Sequence, residues 1–346
     1  MSDIGIDLGR RTSQICILTQ EGELLERGVL TERERFAAAL KNHSGARILL
    51  EAGTESEWVA RCLEGLGHEV IVGDPNYAPM YARRQRTVKT NRRDARALAE
   101  ACRLGAYRPA HRTSEEQRRV RARIAVREAL VRTRARHVVL IGSLLRQEGL
   151  HMPGGGTATF PARLQAVTVP EPLQQAIAPM LPVLEALNRQ IQEADRELAA
   201  LAGTDPRVRR LRTAPGIGPV TAATFVATVD RVDRFAGPHQ LEAYLGLVPR
   251  ENSTGDQQRR GPITKAGNGR LRWLLIEAAW SIVNYPKPET AALRAWTLRI
   301  ATRRGRPRAV VALARRLAGI LFAMMRDETV YDPNRRTSTM QNVRTV

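Results

Sequence analysis

The stretch Ile4-Gly5-Ile6-Asp7-Leu8-Gly9 decides how the rest of the chain reads. Its short apolar run suits a buried strand that delivers one carboxylate, Asp7, just as the chain reaches a glycine. The pattern recurs in Ile48-Leu49-Leu50-Glu51-Ala52-Gly53, a second β-type run ending in an acid beside glycine. A third acid, Asp94, lies in Lys89-Thr90-Asn91-Arg92-Arg93-Asp94-Ala95, which opens a helix. Acids at the ends of separate elements can converge on one site. Mg²⁺ takes oxygen ligands, commonly one or two carboxylates with waters and substrate phosphates, so Asp7, Glu51 and Asp94 are the candidate metal ligands and point to phosphodiester chemistry. Asn91 and Asp94 are three apart and are expected to share a helix face, although an acid near a helix start can also act only as a cap or dipole partner.

Working outward, residues 4–8, 13–19 and 24–30 read as a meander of three strands, with Gln20-Glu21-Gly22 as a turn. A helix over 32–42 is expected behind Thr31 as N-cap, then a strand over 46–51. A helix over 56–66 with Trp58, Val59, Cys62 and Leu66 on one side follows, and a fifth strand over 69–72. Three strands followed by alternating α and β describe a ribonuclease-H-like α/β domain, whose sites form at strand ends where the order switches.

The chain has 346 residues, enough for two domains, and carries 55 Lys+Arg against 35 Asp+Glu, a formal charge of +20. Such an excess favours a polyanion as partner, because neutralising phosphates releases condensed counterions. Cys16, Cys62 and Cys102 are far apart and lack CxxC spacing, which argues against a disulfide framework or zinc site and fits a reducing cytoplasm. No apolar run approaches the roughly 20 residues that span a bilayer, and Met1-Ser2-Asp3 begins no signal peptide.

Residues 114–146 form one basic helical pattern with Ile124, Val131, Val138 and Leu145 spaced by sevens, the mark of a helix seam. Around the seam stand Arg118, Arg119, Arg123 and Arg127 with further arginines, either a solvated face or a nucleic-acid contact. After the glycine run at 154–156, residues 181–201 resume as a helix, making the middle of the chain structural or oligomeric. Ala214-Pro215-Gly216-Ile217-Gly218-Pro219 precedes an Ala-rich helix over 220–229. Gly216 and Gly218 mark either a plain turn or a loop that offers backbone N–H groups to a phosphate. In Asn252-Ser253-Thr254-Gly255, two hydroxyls precede a glycine among Arg250, Arg259, Arg260 and Lys265. The pattern is a turn, or a hydroxyl nucleophile whose neighbouring cations stabilise a pentavalent phosphorus. Residues 271–283 and 309–325 are apolar helices, and the tail beyond Asp327 is polar.

Taken jointly, residues 4–9, 50–53, 89–95, 215–218, 246–249 and 263–267 resemble, in order and approximate spacing, the insertion-sequence transposases that have a RuvC-like DEDD domain and a C-terminal domain with a nucleophilic serine. These are the recombinases guided by a bridge RNA. The resemblance implies a RuvC-like catalytic domain over 1–112, a helical coiled-coil and oligomerisation region over 113–203, a mainly α-helical transposase domain with a helix-hairpin-helix-like motif over 204–330, and a flexible tail over 331–346. It also implies Mg²⁺, donor and target DNA, a non-coding bridge RNA, a covalent protein–DNA step and a homo-oligomer, dimer or tetramer. The sequence departs from the pattern twice. The third acid falls on Asn91, which has an oxygen ligand without charge, with Asp74 as a possible substitute. The serine slot before glycine holds Thr254, with Ser253 one residue earlier. A catalytically impaired nucleic-acid-binding homologue is one alternative. An actin-like ATPase or kinase, suggested by Ile-Asp-Leu-Gly, lacks later glycine-rich nucleotide loops.

Overall fold

The computed structural model describes residues 1–81, 90–251 and 260–333, which fall into two compact units, Met1–Thr113 and Ser114–Val346. In the first, β1 (Asp3–Asp7), β2 (Thr12–Leu18) and β3 (Leu24–Leu30) form the expected meander. Helix α1 (Arg33–Leu40), β4 (Arg47–Glu51), α2 (Ser56–Gly65), β5 (Glu69–Gly73) and α3 (Asn91–Leu104) follow. The sheet order is β3-β2-β1-β4-β5, with β1, β4 and β5 parallel to one another and β2 antiparallel to both β1 and β3.

Alternation along the strands assigns the two faces. Ile4, Ile6, Ile48 and Leu50 are fully buried and pack with Phe36 of α1 and with Val59 and Leu63 of α2. Each such side chain contributes roughly 1.5–3 kcal/mol of burial. Leu49 faces the other way, against Leu98, Ala101 and Cys102 of α3. Gly5 shares that second face. A Cβ there would lie 2.1 Å from the Ala95 carbonyl oxygen and 2.2 Å from the Ala99 nitrogen, so α3 rests directly on the backbone of β1.

Three local expectations are corrected. Thr31 does not cap α1: the N-cap position is Glu32, without a side-chain cap bond. The Thr31 hydroxyl instead donates to the Gly9 carbonyl at 2.8 Å and lies 2.8 Å from Ser13 Oγ, tying the meander to the loop after β1. In α2 the inward face is Ser56, Val59, Ala60 and Leu63, with Leu66 43% exposed. In α3, Asn91 is exposed while Asp94 is buried, so the two do not share a face. Thr90 caps this helix through the Arg93 amide, and Gly105, in the left-handed region at φ 63°, ends it.

The second unit begins with α4 (Glu115–Gln147), whose N-cap Ser114 accepts from the Gln117 amide and donates to Asp230. It continues through α5 (Phe160–Leu164), α6 (Glu171–Ile177) and α7 (Met180–Thr204). Along the expected seam Ile124 and Leu145 are buried and Val131 and Val138 half-buried. The partner is α7 of the same chain, through Leu198 near one end and Leu184 near the other. Helices α8 (Pro206–Leu211), α9 (Pro219–Val229) and α10 (Pro238–Tyr244) lead into a hairpin of β6 (Pro249–Glu251) and β7 (Arg260–Ile263). The chain ends in α11 (Gly269–Asn284), α12 (Ala291–Arg304) and α13 (Arg306–Arg326). The core of this unit is centred on α13, whose Leu313, Leu317 and Leu321 are fully buried among Phe225, Leu245 and Leu275.

Candidate functional site

The register of β1 on β4 pairs Ile6 with Leu50, so Asp7 and Glu51 are the next residues at the C-terminal ends of adjacent parallel strands. Adjacent strands lie about 4.8 Å apart. Since Gly5 and Leu49 point to the α3 face, so do Asp7 and Glu51, two residues on. Helix α3 runs antiparallel to β1. Arg103, near its end, pairs with Asp3 at the start of the strand, Ala95 and Ala99 cover Gly5, and its first turn, with Asp94, is therefore carried toward the Asp7 end. Asp94 is only 5% exposed there. Sheet register sets Asp7 and Glu51 level, and helix packing carries the first turn of α3 toward the same end of the sheet.

Asp7 and Glu51 line a cavity of about 220 Å³ with Leu8, Arg10, Ala52, Gly53, Thr54 and Glu55. Glu51 accepts a hydrogen bond from the Tyr81 hydroxyl, and Glu55 accepts one from Trp58 Nε1. Among the described residues no group of three or more His, Cys, Asp or Glu side chains is arranged to hold a metal ion. The cavity therefore offers the two strand-end carboxylates, a donor set of the kind Mg²⁺ accepts when waters and phosphate oxygens complete its shell.

Asp74, the substitute considered for Asn91, is not among the residues lining this cavity. One of its carboxylate oxygens accepts from the Asn76 backbone at 2.9 Å, and Arg108 donates to the other through Nε at 3.1 Å. These bonds hold its carboxyl below the usual range, the Asn76 amide contributing most, and bind it into a turn. Tyr81, Arg10 and Glu55 were not visible as site residues in the sequence. Glu55 was the most accessible of them, four residues beyond Glu51.

Ser253, Thr254 and Arg259 lie outside the described residues, in the segment that joins β6 to β7; the side chain of Arg260, the first residue of β7, is also outside them. The base of that hairpin is held tightly. Gly246, at φ 66°, approaches Ala266 so closely that a Cβ would meet its nitrogen and oxygen at 2.4 Å. Gly267, at φ 64°, would place a Cβ 2.0 Å from the Tyr244 carbonyl oxygen. Arg272 donates through Nη1 to the carbonyls of both Leu245 and Ala266, at 2.8 and 2.7 Å. The Tyr244–Pro249 and Ile263–Gly267 stretches are thus the two sides of one backbone clasp. Lys265, exposed and at φ 58°, sits on its outside.

The arginines of α4 divide into two sets. Arg127 is committed to Asp195 of α7 by a paired contact, 2.5 Å at Nε and 3.3 Å at Nη2, so its side chain does not lie on a solvated face. Arg121 donates to the Ala227 and Thr228 carbonyls of α9, and Arg134 to Asn188 of α7. Arg119 and Arg123 are exposed, Arg119 paired with Glu115 one turn away, and Arg118 is half-buried. Gly216, at φ 75°, packs against the Ala278 carbonyl of α11, and Gly218 is the N-cap residue of α9. A basic run missed in the sequence, Arg303-Arg304-Gly305-Arg306-Pro307-Arg308, turns between α12 and α13 with all four arginines exposed. Its signal was four arginines in six residues. Among the described residues no helix is long and apolar enough to cross a membrane.

Two family models match the chain: one described as a transposase, of the DEDD type named for IS110, over residues 4–149, and one described as a transposase of the IS116/IS110/IS902 family over residues 208–294. A probable family 20 transposase of Pseudomonas aeruginosa is 31% identical over 339 residues, covering 96% of this chain and 99% of the relative. The transposase for insertion sequence element IS1111A of Coxiella burnetii is 29% identical, covering 95% of this chain and 90% of the relative. The transposase for insertion sequence element IS1328 of Yersinia enterocolitica is 28% identical over 95% of this chain and 98% of that one. With a strand-end acidic cavity in one unit, a clasped hairpin in the other, and relatives matched almost end to end, the chain belongs to the IS116/IS110/IS902 family of transposases.

Proposed function

We propose that this transposase cleaves and rejoins the DNA of its insertion sequence by using a Mg²⁺ site in a RuvC-like first unit and a hydroxyl from the segment between β6 and β7. The observation that carries the reading is the placement of Asp7 and Glu51 side by side at the ends of parallel β1 and β4, on the walls of one cavity. The strand order β3-β2-β1-β4-β5 supports the ribonuclease-H-like assignment. Asp7 and Glu51 would hold the ion, with Asp94 at the same edge. Asn91, exposed at the helix start, would act at most through an outer water. When bound, Mg²⁺ supplies charge stabilisation for a phosphodiester undergoing displacement. Tyr81 orients the Glu51 carboxylate through its hydroxyl.

The nucleophile is Ser253 or Thr254. Ser253 has the less hindered hydroxyl, whereas Thr254 directly precedes Gly255. Attack forms a protein O–P bond as a bridging P–O bond of the strand breaks, and the hydroxyl proton leaves with the released DNA oxygen; the reverse step rejoins a strand. Exposed arginines of α4, Lys265, and Arg259 and Arg260 are assigned to phosphate contacts. Gly216 and Gly218 contribute backbone N–H groups to a helix-hairpin-helix-like grip. A non-coding bridge RNA selects donor and target, and a dimer or tetramer assembles the reaction. The test is incubation of the purified chain, with RNA transcribed from the flank of its element, on DNA carrying the element ends. Strand cleavage that requires both Mg²⁺ and the RNA is expected; binding without cleavage at any Mg²⁺ concentration would leave only a nucleic-acid-binding protein.

A further inference from the structure

The described part of the β6–β7 hairpin forms one wall of a second cavity, of about 830 Å³, that the chemistry above does not use. Pro249 and Ile263 face it from the hairpin, and Pro307 and Val311 from the start of α13. The charged residues that line it are Arg304, Arg308 and Arg315, and no carboxylate lies among its described lining. Arg315 is already occupied, donating to Glu242 at 2.5 Å. Arg304 and Arg308 are exposed at the mouth, within the basic turn between α12 and α13. A concave apolar wall under a pair of guanidinium groups, with no carboxylate in the described lining, is a nucleic-acid subsite in miniature: cations for phosphates, an apolar surface for sugar and base. The volume falls within the roughly 300–1,000 Å³ of sites that enclose a ligand-sized group, and a duplex is too wide to enter it.

We propose that this groove seats one or two unpaired nucleotides of the DNA strand at the described base of the β6–β7 hairpin, with phosphates on Arg304 and Arg308 and the sugar–base edge against Pro249, Ile263, Pro307 and Val311. The proposal rests on the DNA-strand-transfer reading for its purpose and not for its test. The groove lies along Pro249 and Ile263, the paired residues at the described base of the β6–β7 hairpin, so a strand held there is fixed relative to that base. That makes Arg304 and Arg308 positioning residues.

The test is fluorescence anisotropy with the full chain in EDTA, comparing a labelled single strand of about twelve thymidines with a duplex of equal length. Arg304→Glu with Arg308→Glu should weaken single-strand binding about tenfold and lower the salt slope by about 1.4, as expected for two lost phosphate contacts on a single strand. A control with the same change of charge on exposed α7 positions, Arg189→Glu with Arg196→Glu, should retain the wild-type slope. Ala312→Trp, which fills the groove without altering charge, should weaken single-strand binding and leave duplex binding and the salt slope unchanged. Equal losses in the control, equal losses on duplex and single strand, or a change of oligomeric mass in the Arg304/Arg308 variant would overturn the proposal. In the last case the groove would be an interface between copies. Because no metal is present, absence of Mg²⁺-dependent cleavage would count against the transposition chemistry and leave these binding results intact.

Discussion

Gly5→Ala probes the contact that ties Asp94 to the strand bearing Asp7. The added methyl carbon would lie 2.1 Å from the Ala95 carbonyl oxygen and 2.2 Å from the Ala99 nitrogen, each more than an ångström inside ordinary contact, and 2.8 Å from the Leu98 carbonyl carbon. All three atoms are helix backbone, so no rotamer change relieves the overlap; α3 must lift from the sheet. Overpacking of this kind costs about 3 kcal/mol, the upper part of its usual range, because the helix loses its seat on β1 as well as its contacts with Cys16 and Leu18. At 1.36 kcal/mol per factor of ten, the most protected amides of β1 and α3 should exchange roughly 150-fold faster. Hydrogen exchange read by mass spectrometry localises the effect to peptides covering residues 3–7 and 91–104. Gly65→Ala is the control, since nothing lies within 4 Å of its Cβ position. If the Gly5→Ala exchange profile matched that of Gly65→Ala, α3 would not rest on β1 and Asp94 would not belong to the Asp7 edge.

Asn91→Asp adds a charge at the exposed start of α3, outside the buried position of Asp94. It should lower the Mg²⁺ concentration for half-maximal cleavage modestly, about twofold, through the added field alone; an unchanged titration would remove Asn91 from any role at the ion. Ser253→Ala should abolish a covalent protein–DNA adduct on a suicide substrate while Thr254→Ala retains it, and the opposite pattern would reassign the nucleophile. The thiols offer a pH test of packing. Burial pushes Cys102 up to about 12 and Cys16 up to about 11, so iodoacetamide at pH 8 should modify half-buried Cys62 first and Cys102 last. In both cases the native state keeps its proton when the unfolded chain, with ordinary thiols, has lost it. Stability should therefore fall as pH rises from about 9, by up to about 1.4 kcal/mol per thiol per pH unit, until about pH 11 for Cys16 and about pH 12 for Cys102. A flat stability profile across that window would show both thiols to be solvated.

The α/β unit was legible because its strands are short and continuous, and because each acid stands where an apolar run stops. Register did the rest: two runs of like length in parallel pairing bring Asp7 and Glu51 level, which spacing along the chain could suggest but not place. The Asn91–Asp94 pairing failed because a spacing of three is about 300° around a helix, near enough for neighbours yet across the boundary of a narrow buried face. The α4 arginines were over-read as one surface. Their partners, Asp195, Asn188 and the α9 carbonyls, lie tens of residues away, so tertiary contact alone separates Arg127 from Arg123. Gly246 and Gly267 entered the sequence reading only within the stretches 246–249 and 263–267; that each presses on the other's neighbouring backbone emerges only when both strands of the clasp are in place.

A metal site formed by Asp7 and Glu51 and acting on DNA is tested by cleavage of element-end DNA by Asp7→Asn and Glu51→Gln as a function of Mg²⁺, with DNA and RNA binding measured on the same samples in EDTA. The substitutions keep size and remove charge at two half-buried positions. Cleavage should fall by at least about a hundredfold at every Mg²⁺ concentration, the scale of removing electrostatic stabilisation from a displacement at phosphorus, with nucleic-acid binding within about twofold of wild type. Wild-type cleavage by both variants would contradict the metal site.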